Sequence, residues 1–571
     1  MKKYLVEETR SGFKTLIYKE SATQRDIRLH SAYDPVKEAE RNVSGFTIGR
    51  ASVILVSGLA LGYHVNCLAE KYVDCEILVL EKDPEVVKIC KKNNPEIFKK
   101  TLVATFFDEI ESYFEKIDLA LFQGIASYVH KPSYQIDSLF YDEMIKNITR
   151  YVSSRVSDLL TRFEFEEKWI RNIFKNIKHF SSSEGIERFF GAFKGYPGII
   201  VSAGPSLKNN IHELAALRNR AFIVAVDTAF KVLLQHNIKP HFVVTLDAQK
   251  YSLKHFLGAE DCETVLVADV VSCPSILDSY KGPRVISTTA KYYTDSNGGM
   301  CRETTPVMDW VENYTGYFGD IQSGGSVATT VFDMLLNFGC NPIILVGQDL
   351  AYSGREIHCT GTYHNDDWLP GINRFKNLEC INQGVIRRRK IKYVPGYGSG
   401  KPVITDFVFD LYKSWFEDSA SRVSVKIVNS TEGGAVIKNT VEAKLGNALS
   451  VKSSVKSPDS IINEIFKTGK GIPSKPLEKA LMESFAEIEK IIFILESSAK
   501  DDNKDDVIKM IESENLYPLF KPFFRKINIY LARRNIDENE AKKMYLEEIR
   551  ISALKLRDYM LSSGYELFRE I

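Results

Sequence analysis

Short apolar runs that end in small-residue turns recur along this chain. The clearest is Gly198-Ile-Ile-Val-Ser-Ala-Gly-Pro-Ser-Leu207. Ile199 to Val201 reads as a buried strand and Gly204-Pro205-Ser206 as a tight turn. Leu207, Ile211, Leu214 and Leu217 then share one helical face. Such a helix start offers free N–H groups to an anion, and Ser206 can cap it or touch a ligand. Residues 221–229 predict a second strand that meets its helix at Asp227 and Thr228. Residues 242–247 predict a third through Thr245 to Asp247, 264–269 a fourth ending in Asp269, and 284–288 a fifth. Ser323-Gly324-Gly325-Ser326 opens a helix with Val327, Val331, Leu335 and Phe338 on one face, closed by Gly339. Residues 342–350 predict a strand ending in Gln348 and Asp349, and 425–434 a last strand and turn through Thr431 and Glu432. Strands alternating with helices imply a mainly parallel sheet, with ligands beyond the carboxyl ends of the strands. That edge gathers Gly204, Ser206, Asp227, Thr228, Thr245, Asp247 and Asp269.

The flanks pattern differently. Residues 1 to about 45 read as a β-rich lead. Residues 51–57 predict a strand, Gly58-Leu-Ala-Leu-Gly62 a glycine turn, 63–71 a helix and 76–81 a strand ending in Glu81. This is the order of a Rossmann nucleotide-binding unit. With only two glycines in the turn, we read a scaffold whose pocket is dead or filled by protein, and expect no cofactor there. Residues 117–124 predict another strand of that sheet. From 133 to 187 the pattern is helical, with Trp169, Ile170, Ile173, Phe174 and Ile177 on one face. Residues 448–475, with Ser453, Ser454, Pro458, Gly469, Gly471 and Pro473, read as a linker. Beyond them Leu477, Leu481, Phe485, Ile488, Ile492 and Leu495 form an apolar stripe, and helical segments continue to Phe568. The expected division is 1–132, a β-lead and Rossmann-like domain; 133–194, a helical bridge; 195–447, a catalytic domain; 448–475, a linker; and 476–571, a helical domain.

Composition narrows the function classes. Lys and Arg number 75 and Asp and Glu 74 among 571 residues, for a formal net charge of +1. No global field calls for nucleic acid or an anionic membrane. The nine cysteines, Cys262 among them, form no CxxC pair, which speaks for reduced thiols and a cytoplasmic location. The first ten residues lack the apolar stretch of a signal peptide, and no apolar run is long enough to span a bilayer.

Two small-residue turns at helix starts suit a ligand with two anionic groups. Behind Asp349 lies a loop with His358 and His364. A histidine there can act as a general base near neutral pH, although spacing alone favours a surface or hydrogen-bonding role. His358, Cys359 and His364 match no zinc spacing, so no metal is expected. The glycine loop 394–400 lacks the lysine–hydroxyl pair of a P-loop.

Taken together, Gly204-Pro-Ser-Leu207, Val226-Asp-Thr-Ala229, Thr245-Leu-Asp247, Ser323-Gly-Gly-Ser-Val327, Val346-Gly-Gln-Asp-Leu-Ala-Tyr352, His358 and Asn429-Ser-Thr-Glu-Gly-Gly434 resemble the Maf (motility-associated factor) proteins. The resemblance extends to the His30-Ser-Ala-Tyr-Asp-Pro35 entry and the helical C-terminal part, and so covers nearly the whole chain. It implies an α/β protein: a central GT-A-like, sialyltransferase-like Rossmannoid domain between a degenerate Rossmann-like domain and a helical one. It implies a bacterial cytoplasmic glycosyltransferase that moves pseudaminic or legionaminic acid from a CMP-activated donor to Ser or Thr of flagellin, without metal or cofactor. Under that reading His358 is the expected base and Asp349 the runner-up. Gly204, Pro205, Ser206, Asp227, Thr228, Thr245 and Asp247 are expected at the nucleotide. Ser323, Gly324, Gly325, Ser326, Gln348, Thr431 and Glu432 are expected at the phosphate or sugar carboxylate. Flagellin is the expected partner, with no nucleic acid or membrane, and homo-oligomerisation is left open. Ala203 stands where related sialyltransferases often carry a polar amide. The alternatives are an ATP-dependent pterin pyrophosphokinase, whose archaeal form shares a similar central domain, and a non-catalytic flagellin-binding scaffold.

Overall fold

The computed structural model describes residues 3–19, 26–117, 121–259, 263–294, 299–398, 401–449, 456–497, 502–513, 515–532 and 536–564. Cys262, Gly400, Ser453, Ser454 and Phe568, used in the sequence reading, lie outside the described residues. The chain forms two compact units. One is Met1–Glu164 with Asn528–Ile536; the other is Phe165–Ile527 with Asp537–Ile571.

In the first unit β1 (Tyr4–Glu8), β2 (Lys14–Lys19) and β3 (Asp26–Arg28) form an antiparallel sheet. Strands β4 (Val53–Ser57), β5 (Glu76–Leu80), β6 (Thr101–Ala104) and β7 (Ile125–Val129) form a parallel one in the order β6-β5-β4-β7. The strand expected at 117–124 is displaced. Residues 118–120 lie outside the described set, and the strand beside β4 is β7, registered from Val53↔Ile125 to Ser57↔Val129. Ile117 and Phe122 instead pack against a helical side of the core. The glycine turn after β4 is answered by protein. Leu59 N donates to the buried Glu81 carboxylate at 3.0 Å, and Leu61 N to His30 Nε2 at 3.0 Å. A Cβ on Gly58 would lie 2.3 Å from that of Ser133. Glu81, read as a ribose acid by its position, holds the turn shut.

The second unit is built on one large sheet. Its strands are β8 (Glu184–Gly185), β9 (Gly198–Val201), β10 (Phe222–Val226), β11 (Phe242–Thr245), β12 (Val265–Asp269), β13 (Arg284–Thr294), β14 (Met300–Thr304), β15 (Asp320–Ile321) and β16 (Ile343–Val346). A hairpin of β17 (Ile391–Pro395) and β18 (Pro402–Asp406) stands apart, and β19 (Ile427–Asn429) and β20 (Val441–Glu442) finish the sheet. The order is β14-β13-β12-β11-β10-β9-β16-β19-β20, parallel from β13 through β20. Strands β9, β10, β11 and β16 are buried along their whole length. This is why they read as unbroken apolar runs: helices cover both faces of a parallel sheet. Of the face its spacing predicted, the helix Val327–Asn337 buries Val331 and Leu335, Phe338 is buried at its C-cap and Val327 is half-buried; Ala328 and Phe332 are buried beside them.

Two expectations are corrected at the level of elements. Leu207, Ile211, Leu214 and Leu217 are all buried, but not on one helix. The chain makes 3₁₀ turns at Pro205–Asn209 and Ile211–Glu213 and only then a short helix Leu214–Leu217. Asn210 breaks the run: it stands at φ −134, its side chain donating to Ser430 O at 2.7 Å. The expected linker 448–475 contains a helix, Pro458–Thr468, capped by Ser457. Its Ile461, Ile462, Ile465 and Phe466 pack on the main core, so its polar appearance is that of one solvated face. The C-terminal stripe does form a buried face, with Leu477, Leu481, Phe485, Ile488 and Ile492 in the helix Lys475–Glu496. Among the described residues no helix is long and apolar enough to cross a membrane.

Candidate functional site

The strand order of the large sheet reverses between β9 and β16. Sequence continues outward from β9 through β10 to β13 on one side, and from β16 to β19 on the other. Open parallel sheets bind ligands at such a reversal, beyond the carboxyl ends of the strands. A cavity of about 180 Å³ lies there. Ser202 to Pro205 after β9, Val226 and Thr228 at the end of β10, and Gly347 to Ala351 after β16 form its base. Ser326, Val327 and Ala328 at a helix start, His358, and Phe409 and Tyr412 of the helix Phe407–Arg422 complete it. Of the residues chosen from sequence, Gly204, Pro205, Thr228, Ser326, Gln348, Asp349 and His358 line this space.

Others stand behind it. The Gly-Pro-Ser turn already holds an anion of the protein's own. Ser206 N points at Asp349 Oδ1 and Oδ2 at 3.2 and 3.3 Å, and Ser206 Oγ donates to Oδ1 at 2.6 Å. A Cβ on Gly204 would meet Asp349 Oδ1 at 2.1 Å and Gly347 O at 2.4 Å. Glycine is required here by the approach of Asp349, a packing reason. Burial raises the Asp349 carboxyl, with the Ser206 hydrogen bonds opposing.

Asp227 is buried and accepts from Thr228 N at 2.7 Å and Thr245 Oγ1 at 3.0 Å, so it ties β10 to β11. Burial pushes its carboxyl up, with the nearby His255 and the Thr245 hydrogen bond opposing. Asp247 is exposed and caps its own turn at Gln249 N, 2.9 Å away. Gln348 Oε1 accepts from Ser202 at 2.5 Å, while Gln348 N donates to Thr431 Oγ1 at 3.2 Å. Glu432 accepts from Asn210 at 3.3 Å and Leu445 N at 3.1 Å.

The second turn closes largely on itself. Thr329 Oγ1 accepts from Gly324 N at 2.9 Å and Ser326 N at 3.2 Å, and Ser323 Oγ accepts from Gly325 N at 3.2 Å. Gly324 lies against Trp415, whose ring a Cβ would meet at 2.5 Å. Ser326, Val327 and Ala328, at the start of an eleven-residue helix, are the part that faces the cavity.

His358 belongs to a histidine group in which His364 shares its loop in sequence and His255 comes from elsewhere in the chain. Its ring stacks on His364 with centroids 4.6 Å apart, and His364 lies 5.5 Å from His255. Tyr251 Oη and His364 Nδ1 are 3.1 Å apart. Burial, and then the neighbouring histidines, lower the His358 ring to about 3, and burial lowers His364 to about 4. Both rings are therefore neutral at physiological pH, each with one unprotonated ring nitrogen.

Sequence reasoning missed His255, Arg389 and Tyr412. Arg389 Nη1 donates to Asp406 at 3.2 Å, and Asp406 accepts from Tyr352 Oη at 2.5 Å. The positive charge of Arg389 reaches His358, Tyr352 and Tyr412. Nothing local flags Arg389 within its basic run. Phe409 and Tyr412, three apart on one helix, carried a readable signal: they share a face.

The first unit holds two further features. A cavity of about 370 Å³ is lined by Lys3, Tyr4, Tyr18, Glu81, Lys82, Asp83, Asp137 and Tyr141. Its lysines are paired, Lys3 with Asp83 and Lys82 with Asp137. Among the described residues His30, His64 and His130 are close enough together to hold a metal ion. Their ring nitrogens are mostly engaged, with Leu61 N, Gly58 O and Ser133 Oγ, and His64 Nδ1 is the nitrogen left without a partner. The stacked His64 and His130 rings, 4.3 Å apart, pack beside the glycine turn.

Comparison with known proteins places these features. A family model described as 6-hydroxymethylpterin diphosphokinase MptE-like matches residues 171–355, which hold β9 to β16. An uncharacterized protein of Treponema pallidum (strain Nichols) is 25% identical over 274 residues, 47% of this chain and 46% of that protein. The match thus spans about half the length of that relative. The solved structure of a MAf glycosyltransferase from Magnetospirillum magneticum AMB-1 superimposes with a TM-score of 0.54 at 14% identity, covering 100% of this chain and 93% of that one. From end to end, the chain is similar in fold to a Maf glycosyltransferase, the family its motifs resemble.

Proposed function

We propose that this protein is a cytoplasmic glycosyltransferase that moves a nonulosonic acid, pseudaminic or legionaminic, from a CMP-activated donor to Ser or Thr hydroxyls of flagellin. The observation that carries the proposal is the cavity at the sheet reversal, where a helix start meets two groups able to take a proton, His358 and Asp349. The full-length likeness in fold to a Maf glycosyltransferase supports it.

The chemistry needs two things. The donor carries one charge on its phosphodiester and one on its carboxylate, and the group that leaves is CMP, a phosphate monoester that asks less of a metal than a nucleoside diphosphate does. The Ser326–Ala328 helix start would face one anion, and Arg389, whose charge reaches His358, would supply counter-charge. Gly204, Pro205 and Thr228 would take the nucleotide side. The acceptor oxygen attacks the anomeric carbon, the bond to the phosphate oxygen breaks with its electron pair, and the hydroxyl proton passes to His358. A ring lowered to about 3 is by itself a feeble base. The anionic donor beside it raises its proton affinity at the moment of use. Asp349, held by Ser206, would position the Gly204 edge against the donor.

The test is direct. The protein is incubated with flagellin and either CMP-sugar, and the flagellin is weighed. A mass gain of one or more nonulosonic acid residues, lost in His358→Gln, is the expected result. No gain with either donor overturns the proposal.

One observation favours a second reading: the MptE-like match over residues 171–355. It predicts ATP-dependent pyrophosphorylation of hydroxymethylpterin. That activity in the absence of sugar transfer would replace the first reading.

A further inference from the structure

Between His358 and Tyr412, both of which line the cavity, the described residues 369–398 and 401–409 are mostly exposed, with Asn382, Ile386, Thr405 and Asp406 buried beneath them. Residues 369–409 contain eight Lys or Arg and two Asp or Glu, in a chain whose formal net charge is only +1. Both acids are engaged: Asp406 with Arg389 and Tyr352, and Glu379 with Gln383. Among the described residues Arg374, Lys376, Arg387, Arg388 and Lys390 have no ion-pair partner and are exposed. Large apolar side chains alternate with them. Phe375 is 85% exposed, Tyr393 67% and Phe407 64%, with Leu369, Ile372 and Ile391 also open to solvent. A monomer gains nothing from exposing such a cluster, and patches of this kind mark binding surfaces.

The patch is tied to the site at both ends. Ile357, which lines the cavity, donates its N–H to Asn382 Oδ1 at 3.1 Å on the helix Leu378–Arg387, and Phe409 lines the cavity on the return. Between them lies the β17–β18 hairpin. The outer edge of β18 receives Tyr352 N at Ile404 O, 2.8 Å, whereas β17 is met outside the hairpin only at its end, where Pro395 O accepts from Val436 N at 2.9 Å beside the Gly396↔Ala435 bridge; Ile391–Val394 pair with β18 alone among the described strands. An unpaired strand edge with exposed side chains is a template for an incoming extended segment.

We propose that residues 369–398 and 401–409 dock the acceptor protein, through an extended segment that is acidic and carries apolar side chains, laid along β17 so that a nearby hydroxyl enters the cavity. This rests on the glycosyltransferase reading above. Basic residues with aromatics also suit single-stranded nucleic acid. The aliphatic Leu369, Ile372 and Ile391 favour protein, because they offer apolar area to bury and no ring on which a base could stack.

The test uses the full chain with purified flagellin monomer as probe, at low and moderate salt. Two variants are compared with wild type: Arg387→Glu with Arg388→Glu and Lys390→Glu, and Phe375→Ser with Tyr393→Ser. All five positions are exposed, and stabilisation by CMP in a thermal melt reports on the donor side. The expected result is flagellin binding weakened at least ~10-fold in both variants, with a shallower salt dependence in the first, and an unchanged CMP shift. Unaltered flagellin binding in both variants overturns the inference. So does capture by the wild-type chain of oligouridylate in place of flagellin. Variant-sensitive flagellin binding without sugar transfer would leave the docking surface standing and remove the glycosyltransferase reading.

Discussion

Ser206 and Asp349 lie 143 residues apart in sequence, yet the hydroxyl of one sits 2.6 Å from the carboxylate of the other. This contact joins the turn after β9 to the turn after β16, across the line where strand order reverses. It also sets the shape of the cavity edge, because Gly204 and Gly434 both press on Asp349. A Cβ on Gly434 would lie 2.2 Å from its carbonyl oxygen.

The Ser206–Asp349 pair is expected to be strongly coupled. Ser206→Ala and Asp349→Asn should each destabilise the protein in urea at pH 7. A double-mutant cycle should return about 1.5–3 kcal/mol, the range for hydrogen bonds to charged groups. A coupling near zero would mean that the contact does not hold the site together.

His358→Gln should reduce transfer by roughly 10²–10⁴-fold, the span of general-base contributions, with CMP binding retained. The ring titrates near 3 in the free protein. It is neutral, and so competent as a base, at every pH well above that value. The acid limb that His358 imposes on kcat/KM, a free-enzyme quantity, should therefore lie below pH 5. An inflection near 6.5 that disappears in His358→Gln would contradict the buried environment described here.

Arg389→Gln should act on the donor. The guanidinium does not line the cavity but its charge reaches His358 and Tyr412, which do, so KM for the CMP-sugar is expected to rise about 10-fold, for a loss of about 1.4 kcal/mol, with kcat changed far less. A fall in kcat at constant KM would place Arg389 at the transition state instead.

Acid should unfold this protein through its buried histidines. Burial lowers His64, His241 and His364 to about 4 and His358 to about 3. Folded values below the unfolded one mean that the unfolded chain takes up protons first. The stability these rings contribute is present above about pH 6.5 and is lost as pH falls through 4. His64 alone should account for about 2 kcal/mol at pH 5. Urea midpoints measured between pH 7 and pH 4.5 check this, and His64→Gln should flatten the profile.

Gly434→Ala and Gly354→Ala separate crowding from backbone strain. Both glycines have positive φ, +73 and +62, but nothing lies within 4 Å of the Cβ position at Gly354. Gly354→Ala should cost about 1 kcal/mol from the left-handed backbone alone. Gly434→Ala should cost several times more, read as a larger drop in melting temperature, and should impair transfer by displacing Asp349.

Much of the fold was legible locally. Ile199 to Val201 and its counterparts at 222–226, 242–245 and 343–346 read as strands because a parallel sheet covered on both faces needs unbroken apolar runs. Ser326 before Val327 announced its helix by capping. The displaced strand at Ile125–Val129 and the helix Pro458–Thr468 were misread for a shared reason. Each looks like its surroundings until pairing with β4, or packing of Ile461 and Phe466 on the core, selects one face.

By itself the sequence determined which residues sit at the carboxyl edge, since strand and turn are set by neighbours a few positions away. Only the tertiary structure decided what those residues do. It turned the Gly-Pro-Ser turn from an open anion cradle into the seat of Asp349. It sent Asp227 to Thr245, and Glu81 to the glycine turn of the first unit. It brought His255, at the end of the 3₁₀ turn Lys250–His255, to His364 and so beside His358. These outcomes depend on side chains meeting across strand order, and on burial that shifts their proton affinities. Both follow from which surfaces the packed sheet excludes from water, and no local spacing records that.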